Sequence, residues 1–119
     1  MRALLVLCLA MAVFAGAGCG TSPAAEPATV KVMMSDYRFE PADIKLPAGE
    51  VRIQLTNVGQ EPHDLSIADK SGIGIAKSDV LRSGSSGVLT VNLKAGTYVI
   101  YCGVAGHRER GMEGTLTAS

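Results

Sequence analysis

Glu50-Val51-Arg52-Ile53-Gln54-Leu55-Thr56-Asn57 alternates branched apolar residues with polar ones. A strand turns successive side chains to opposite faces, so Val51, Ile53 and Leu55 face a core while Arg52, Gln54 and Thr56 face water. The runs Val88 to Leu93 and Tyr98 to Tyr101 behave similarly. Outward from there, stretches rich in Val, Ile, Leu, Thr and Tyr predict strands near 29–35, 43–46, 50–57, 63–68, 87–93, 96–102 and 112–117. Turn-forming residues separate them at Pro47-Ala-Gly49, Asn57-Val-Gly59, Ser83-Gly-Ser-Ser-Gly87 and Lys94-Ala-Gly96. Helical periodicity is nearly absent, with one turn expected around 76–81. Seven to eight short strands in about 90 residues predict an all-β Greek-key β-sandwich, whose two sheets bury a core without helices.

The chain has 119 residues, 47% of them hydrophobic, with 11 basic and 11 acidic side chains. This composition describes one compact domain and excludes the basic excess of a nucleic-acid binder. Part of the apolar content belongs to a leader. Arg2 is followed by an apolar run from Ala3 to Ala15 and then by small residues up to Cys19, the pattern of a secretory signal over 1–19. That run is too short to span a bilayer comfortably. Ala15-Gly-Ala-Gly-Cys19 resembles the lipobox of bacterial lipoproteins, which implies a lipidated Cys19 anchoring the protein to a membrane. Gly16 stands where a leucine-like residue is usual, and ordinary cleavage after Ala17 or Ala25 is the alternative. Either route predicts export to a periplasmic or extracytoplasmic compartment. Residues 20–28, small and proline-containing, read as a flexible tether, and 29–119 as the folded domain. Arg2 is the one charged residue before Cys19, so the exported part keeps ten basic against eleven acidic groups and steers partners weakly by net charge.

Cysteine use narrows the chemistry. Of three cysteines, Cys8 leaves with the leader, Cys19 is at most an anchor, and Cys102 alone remains in the domain. A lone thiol in an oxidising compartment is a liability unless a metal occupies it. Both histidines of the chain fall beside candidate partners. His107 lies between Cys102 and Met112 in Tyr101-Cys-Gly-Val-Ala-Gly-His-Arg-Glu-Arg-Gly-Met112, with four residues on each side. His63 opens another strand in Glu61-Pro-His-Asp-Leu-Ser-Ile67, where Pro62 limits backbone freedom. One thiolate, two imidazoles and a distant thioether are the ligand set of a type 1 copper centre, one that holds both Cu(I) and Cu(II). Gly103, Gly106 and Gly111 give the loop the freedom to wrap an ion. Met33 and Met34, on a β-like stretch, read as packing residues, and Tyr37 and Phe39, two apart, as core on one face.

The pattern resembles the cupredoxins, such as plastocyanin, azurin and sulfocyanin. The resemblance runs over Tyr37-Arg-Phe-Glu-Pro-Ala-Asp-Ile-Lys-Leu-Pro-Ala-Gly49, the His63 segment, and Tyr98-Val-Ile-Tyr-Cys102 with its loop. It implies that His63, Cys102 and His107 are strong equatorial ligands of one copper ion and Met112 the weak axial one. It further implies electron shuttling between redox protein partners that touch transiently near His107, rather than enzymatic catalysis. The loop spacing is closer to that of sulfocyanin-like members than to plastocyanin, and Asp64 stands where asparagine is frequent. A dinuclear copper site is excluded, because the second cysteine it requires falls on Gly106. Asp64 is expected to hydrogen-bond across to the loop after Cys102. His107, flanked by Val104, Ala105 and Gly106, is expected to offer an imidazole edge to solvent, with Arg108, Glu109 and Arg110 beside it to orient a partner.

Three other readings compete with this one. Copper storage or delivery would employ exposed methionine or histidine clusters, and none is evident in the sequence. A cysteine hydrolase would need an oxyanion-hole motif and a recognisable Cys–His arrangement, and neither is present. Zinc fits the same nitrogen and sulfur donors, but the soft thioether of Met112 favours copper.

Overall fold

The computed structural model describes residues 18–119, so most of the expected leader, Cys8 included, lies outside the described residues. Chain order gives β1 (Ala28–Ser35), β2 (Arg38–Glu40), β3 (Asp43–Leu46), β4 (Gly49–Asn57), β5 (Ser66–Ala68), β6 (Gly74–Lys77), β7 (Ser86–Leu93), β8 (Gly96–Tyr101) and β9 (Glu113–Ala118). They form a four-stranded sheet in the order β2-β1-β4-β7 and a five-stranded sheet in the order β3-β9-β8-β5-β6. The result is the expected all-β Greek-key sandwich, and no helix occurs among the described residues.

Alternation along β4 sets the register. Val51, Ile53 and Leu55 are buried, and β4 runs parallel to β1 (Val30↔Ile53, Val32↔Leu55) and antiparallel to β7 (Val51↔Val91, Ile53↔Leu89). From β1 come Val32 and Met34, from β7 Leu89 and Leu93. The second sheet answers with Ile44, Leu46, Ile67, Ile100 and Leu116. Each such side chain taken fully out of water contributes about 1.5–3 kcal/mol before entropy is counted. Met34 is fully buried in the core, whereas Met33 is exposed on the surface of β1.

Several expectations are corrected. Two short strands, β2 and β6, were not anticipated, and the turn expected at 76–81 is extended at Ala76 and Lys77. The strand expected from 63 begins at Ser66; His63 itself makes an isolated antiparallel bridge with Leu81. The alternation expected of Val88 to Leu93 holds, with Leu89, Val91 and Leu93 turned inward and Val88 toward solvent. Phe39 is buried as expected, whereas Tyr37 precedes β2 and packs only partly on the core.

The fold determines where the loop of interest sits. β8 and β9 pair antiparallel as far as Tyr101↔Glu113, so residues 102–112 leave and re-enter at one end of the sandwich. β5 pairs with β8 through Ser66↔Tyr101, which carries residues 63–65 to that same end.

Candidate metal centre

The loop closes at its neck, where the Cys102 N–H donates to the Met112 carbonyl at 3.1 Å. Within it, the His107 carbonyl accepts from the N–H groups of Arg110 (3.1 Å) and Met112 (3.2 Å), and the Arg108 carbonyl accepts from Gly111 (2.9 Å). These tight turns need left-handed backbone at Gly106 (φ 82°) and Gly111 (φ 100°), where a side chain is strained. Gly103 serves differently. A Cβ there would sit 3.2–3.3 Å from both carboxylate oxygens of Asp64, so its smallness admits the neighbouring segment.

His63 is held by its backbone. Its N–H donates to the Leu81 carbonyl at 3.0 Å, and its carbonyl accepts from the Leu81 N–H at 2.7 Å. Asn57 braces the approach: its side-chain amide donates to the carbonyls of Glu61 (2.8 Å) and Leu81 (2.9 Å), and its oxygen accepts from the Gly59 N–H (2.9 Å). The sequence marks Asn57 as a turn residue; its full burial shows it to be a polar brace as well.

These constraints bring three ligating atoms together. His63 Nδ1 lies 3.1 Å from His107 Nδ1, and Cys102 Sγ lies 4.0 and 3.6 Å from the two nitrogens in that order. All three residues are buried. A metal bonded to trigonal donors at about 2.0–2.3 Å separates them by about 3.5–3.8 Å, a range these distances straddle. Met112, fully buried, enters the core cluster with Cys102 at the mouth of the loop. The outer nitrogen of His63, Nε2, lies 2.7 Å from the Asp36 carboxylate, which leaves the Nδ1 lone pair facing the other two donors. A lone pair so placed, beside a second imidazole nitrogen and a sulfur, calls for a cation. Among common metals, a buried set of two imidazoles and a thiolate, with a buried methionine closing the same loop, suits copper best.

Burial pushes the Cys102 thiol above its ordinary range, and the negative charge of Asp64 acts in the same sense. Metal binding therefore has to displace a proton from sulfur. Asp64 is itself buried; its Oδ1 accepts the Gly103 N–H at 2.6 Å and its Oδ2 lies 3.4 Å from the Lys77 ammonium. The bond from Asp64 to the loop after Cys102 is thus the one expected.

The surface of the site differs from expectation. His107 is only 7% exposed. Tyr37 packs edge-on against it with ring centroids 4.8 Å apart, and the Arg110 guanidinium lies 4.7 Å from the centre of the Tyr37 ring. Arg108 lies over Tyr101 at 4.4 Å and pairs with Glu113. Two of the three loop charges read as partner-orienting therefore lie over aromatic rings, and all three remain exposed. Sequence reasoning missed Asp36 and the covering role of Tyr37. Neither carries a local motif, since Asp36 meets His63 across 27 residues of chain.

The chain matches the family model of the cupredoxin-like domain over residues 4–118. No curated protein matches it in sequence. Its fold is similar to that of auracyanin from the photosynthetic bacterium Roseiflexus castenholzii, with a TM-score of 0.71 and 18% identity over 80% of this chain and 99% of that one. Auracyanin A, a blue copper protein from the green thermophilic photosynthetic bacterium Chloroflexus aurantiacus, superposes with a TM-score of 0.68 and 22% identity, covering 79% of this chain and all (100%) of its own. An azurin from the obligate methylotroph Methylomonas sp. strain J gives 0.69 and 16%, over 77% and 98% of the two chains. At these identities the likeness is one of fold. With nearly its whole length matched by the family model and the sandwich shared, this chain belongs to the cupredoxin-like domain family.

Proposed function

We propose that this protein is a type 1 copper protein that carries single electrons between redox partners, with His63, Cys102 and His107 as strong ligands and Met112 as the weak axial one. The observation that carries this reading is the convergence of Cys102 Sγ with the two Nδ1 atoms in a buried cluster at one end of the sandwich. A bound copper supplies the one-electron couple. The chain's part is to hold the donors where neither oxidation state demands rearrangement. Backbone bonds at Leu81 fix one ligand, the neck bond from Cys102 to Met112 fixes the loop, and Asp64 ties the two segments together. The family match and the blue copper auracyanin A among the fold's relatives support the same metal.

Retention is favoured over delivery. Cys102 and Met112 are essentially inaccessible and His63 is fully buried, so the metal has no open ligand from which to be passed on. Partners are expected to dock by small, transient contacts at the end that bears His107 and Tyr37. The same proposal places the protein outside the cytoplasm, anchored by a lipid on Cys19. Cys19 is exposed, and residues 18–27 carry no regular structure ahead of β1, as a tether requires. Mass spectrometry of the mature N-terminus tests the anchor: a diacylated Cys19 supports it, and an unmodified start after Ala17 or Ala25 refutes it.

Adding Cu(II) to the purified protein tests the function. An intense thiolate-to-copper absorption in the visible with a narrow copper hyperfine splitting is expected, followed by reversible one-electron cycling with the metal retained. A colourless adduct, or preferential retention of zinc, overturns the reading.

A further inference from the structure

Among the described residues, His63 is the one imidazole of the cluster held at its outer nitrogen by a charged group. Asp36 Oδ1 lies 2.7 Å from His63 Nε2, and the same carboxylate accepts the N–H groups of Gln60 (2.9 Å) and Glu61 (3.2 Å). Three donors thus converge on one side chain at the end of β1. The chain makes room for it at Gly59, where any Cβ would collide with Asp36 Oδ1. The Gly59 N–H and the Val58 N–H both donate to the Met34 carbonyl, which docks the 57–61 segment against β1. The arrangement is therefore built into the fold from both sides. A carboxylate that already accepts two backbone N–H bonds is stabilised as the anion.

An ionised carboxylate only accepts, so the nitrogen facing it must carry the proton. That leaves Nδ1 of His63 unprotonated and aimed at Cys102 and His107. We propose that Asp36 is a positioning residue for the metal centre: its carboxylate fixes the tautomer and ring plane of His63 and, through the Nε2–H bond, makes this imidazole the more electron-rich of the two. A more basic nitrogen favours the more highly charged metal, so Asp36 biases the site toward Cu(II). This inference rests on the copper reading of the preceding subsection.

The test uses the full protein, with Asp36→Asn and Asp36→Ala. Asparagine keeps an acceptor at the same place and removes the charge; alanine removes both. With Asp36→Asn, the ratio of Cu(II) to Cu(I) affinity is expected to fall about tenfold, which for one electron is a rise of about 59 mV in potential. Asp36→Ala should in addition lose about 10–100-fold in Cu(II) affinity, the usual cost of removing such an outer partner. Pulsed electron paramagnetic resonance, which detects the non-coordinated imidazole nitrogens, should show one of the two altered in each variant and the other unchanged. A ratio within a factor of two of the parent, with both remote-nitrogen couplings unaltered, overturns the proposal.

A variant that fails to fold leaves a second measurement decisive. In the unaltered, metal-free protein, nitrogen-15 NMR should place a slowly exchanging proton on Nε2 of His63 and none on its Nδ1; the opposite tautomer overturns the proposal. This readout needs no copper, so a protein that forms no blue centre refutes the copper reading without obscuring whether Asp36 sets the tautomer.

Discussion

Asp64 Oδ1 accepts the Gly103 N–H at 2.6 Å, joining the segment that carries His63 to the loop that carries Cys102, His107 and Met112. No strand pairing ties these two segments at that point, so one side chain spans the gap. Its burial strengthens the bond, and the Lys77 ammonium 3.4 Å from Oδ2 offsets part of the cost of a buried charge. Asp64→Ala should cost the metal-free protein about 1.5–3 kcal/mol, the range for a hydrogen bond to a charged group, and should loosen copper binding. Asp64→Asn keeps an acceptor and should cost less. Denaturant midpoints and competitive copper titration check both; equal losses for the two variants would remove the bond from the account.

Tyr37 covers His107, and Arg110 covers Tyr37. Replacing Tyr37 by alanine forfeits an edge-on aromatic contact of about 0.5–1.5 kcal/mol and a cation–π contact of about 0.5–1 kcal/mol. Arg110→Ala forfeits only the second, and Tyr37→Phe neither. The expected order of destabilisation is therefore Tyr37→Ala, then Arg110→Ala, then Tyr37→Phe, which should be near neutral. Thermal unfolding of the metal-free proteins measures it. A loss in Tyr37→Phe equal to that in Tyr37→Ala would place the contribution in the hydroxyl instead of the ring.

The raised thiol of Cys102 makes stability depend on pH at the alkaline end. Its ordinary value is 9.0, and burial lifts it in the folded state. As pH rises past the ordinary value, the unfolded chain releases this proton first and the native state is penalised. The thiol's contribution to metal-free stability should thus be level below about pH 9 and then fall by up to about 1.4 kcal/mol per pH unit until the folded thiol also ionises. Cys102→Ser should remove that component of the slope. It should also abolish the visible absorption with Cu(II). In the parent protein, copper uptake should release a proton and weaken as the solution is acidified.

How far the sequence disclosed all this differs from residue to residue. Val51, Ile53 and Leu55 announced β4 because burial on one face of a strand leaves a period-two trace. The ligand loop was equally plain, since Cys102, His107 and Met112 are close in sequence and the two histidines are the chain's only ones. What escaped notice depends on tertiary approach. β2 and β6 are only three and four residues long and are stabilised by their neighbours more than by composition. Tyr37 shares parity with Phe39, but it lies outside β2, where the period-two rule does not apply, and its ring turns to the imidazoles. Asp36 is an unremarkable surface-type residue until the 57–61 segment folds over it. Asp64 was legible only because its neighbour His63 had already drawn attention.

Asn57 provides the most demanding test of how His63 is held. The Leu81 carbonyl accepts both the His63 N–H at 3.0 Å and the Asn57 amide at 2.9 Å, so one acceptor links the ligand's backbone to the brace. Asn57→Ala removes three bonds from a fully buried position. At about 0.5–1.5 kcal/mol each, the variant should be destabilised by about 2–4 kcal/mol, although the Gly59 N–H keeps the Met34 carbonyl as an acceptor. Asn57→Asp preserves the bond from Gly59 but turns a carboxylate oxygen toward the carbonyls of Glu61 and Leu81, and it should be at least as damaging. Because the brace acts on the backbone and leaves Cys102 untouched, the Asn57→Ala protein should still bind Cu(II) and colour. Its copper should exchange faster than the parent's as the 57–63 segment loosens. Unfolding midpoints and the rate of copper loss to a chelator check the two halves separately, and a fully stable variant with fast exchange would show that Asn57 serves the ligand alone.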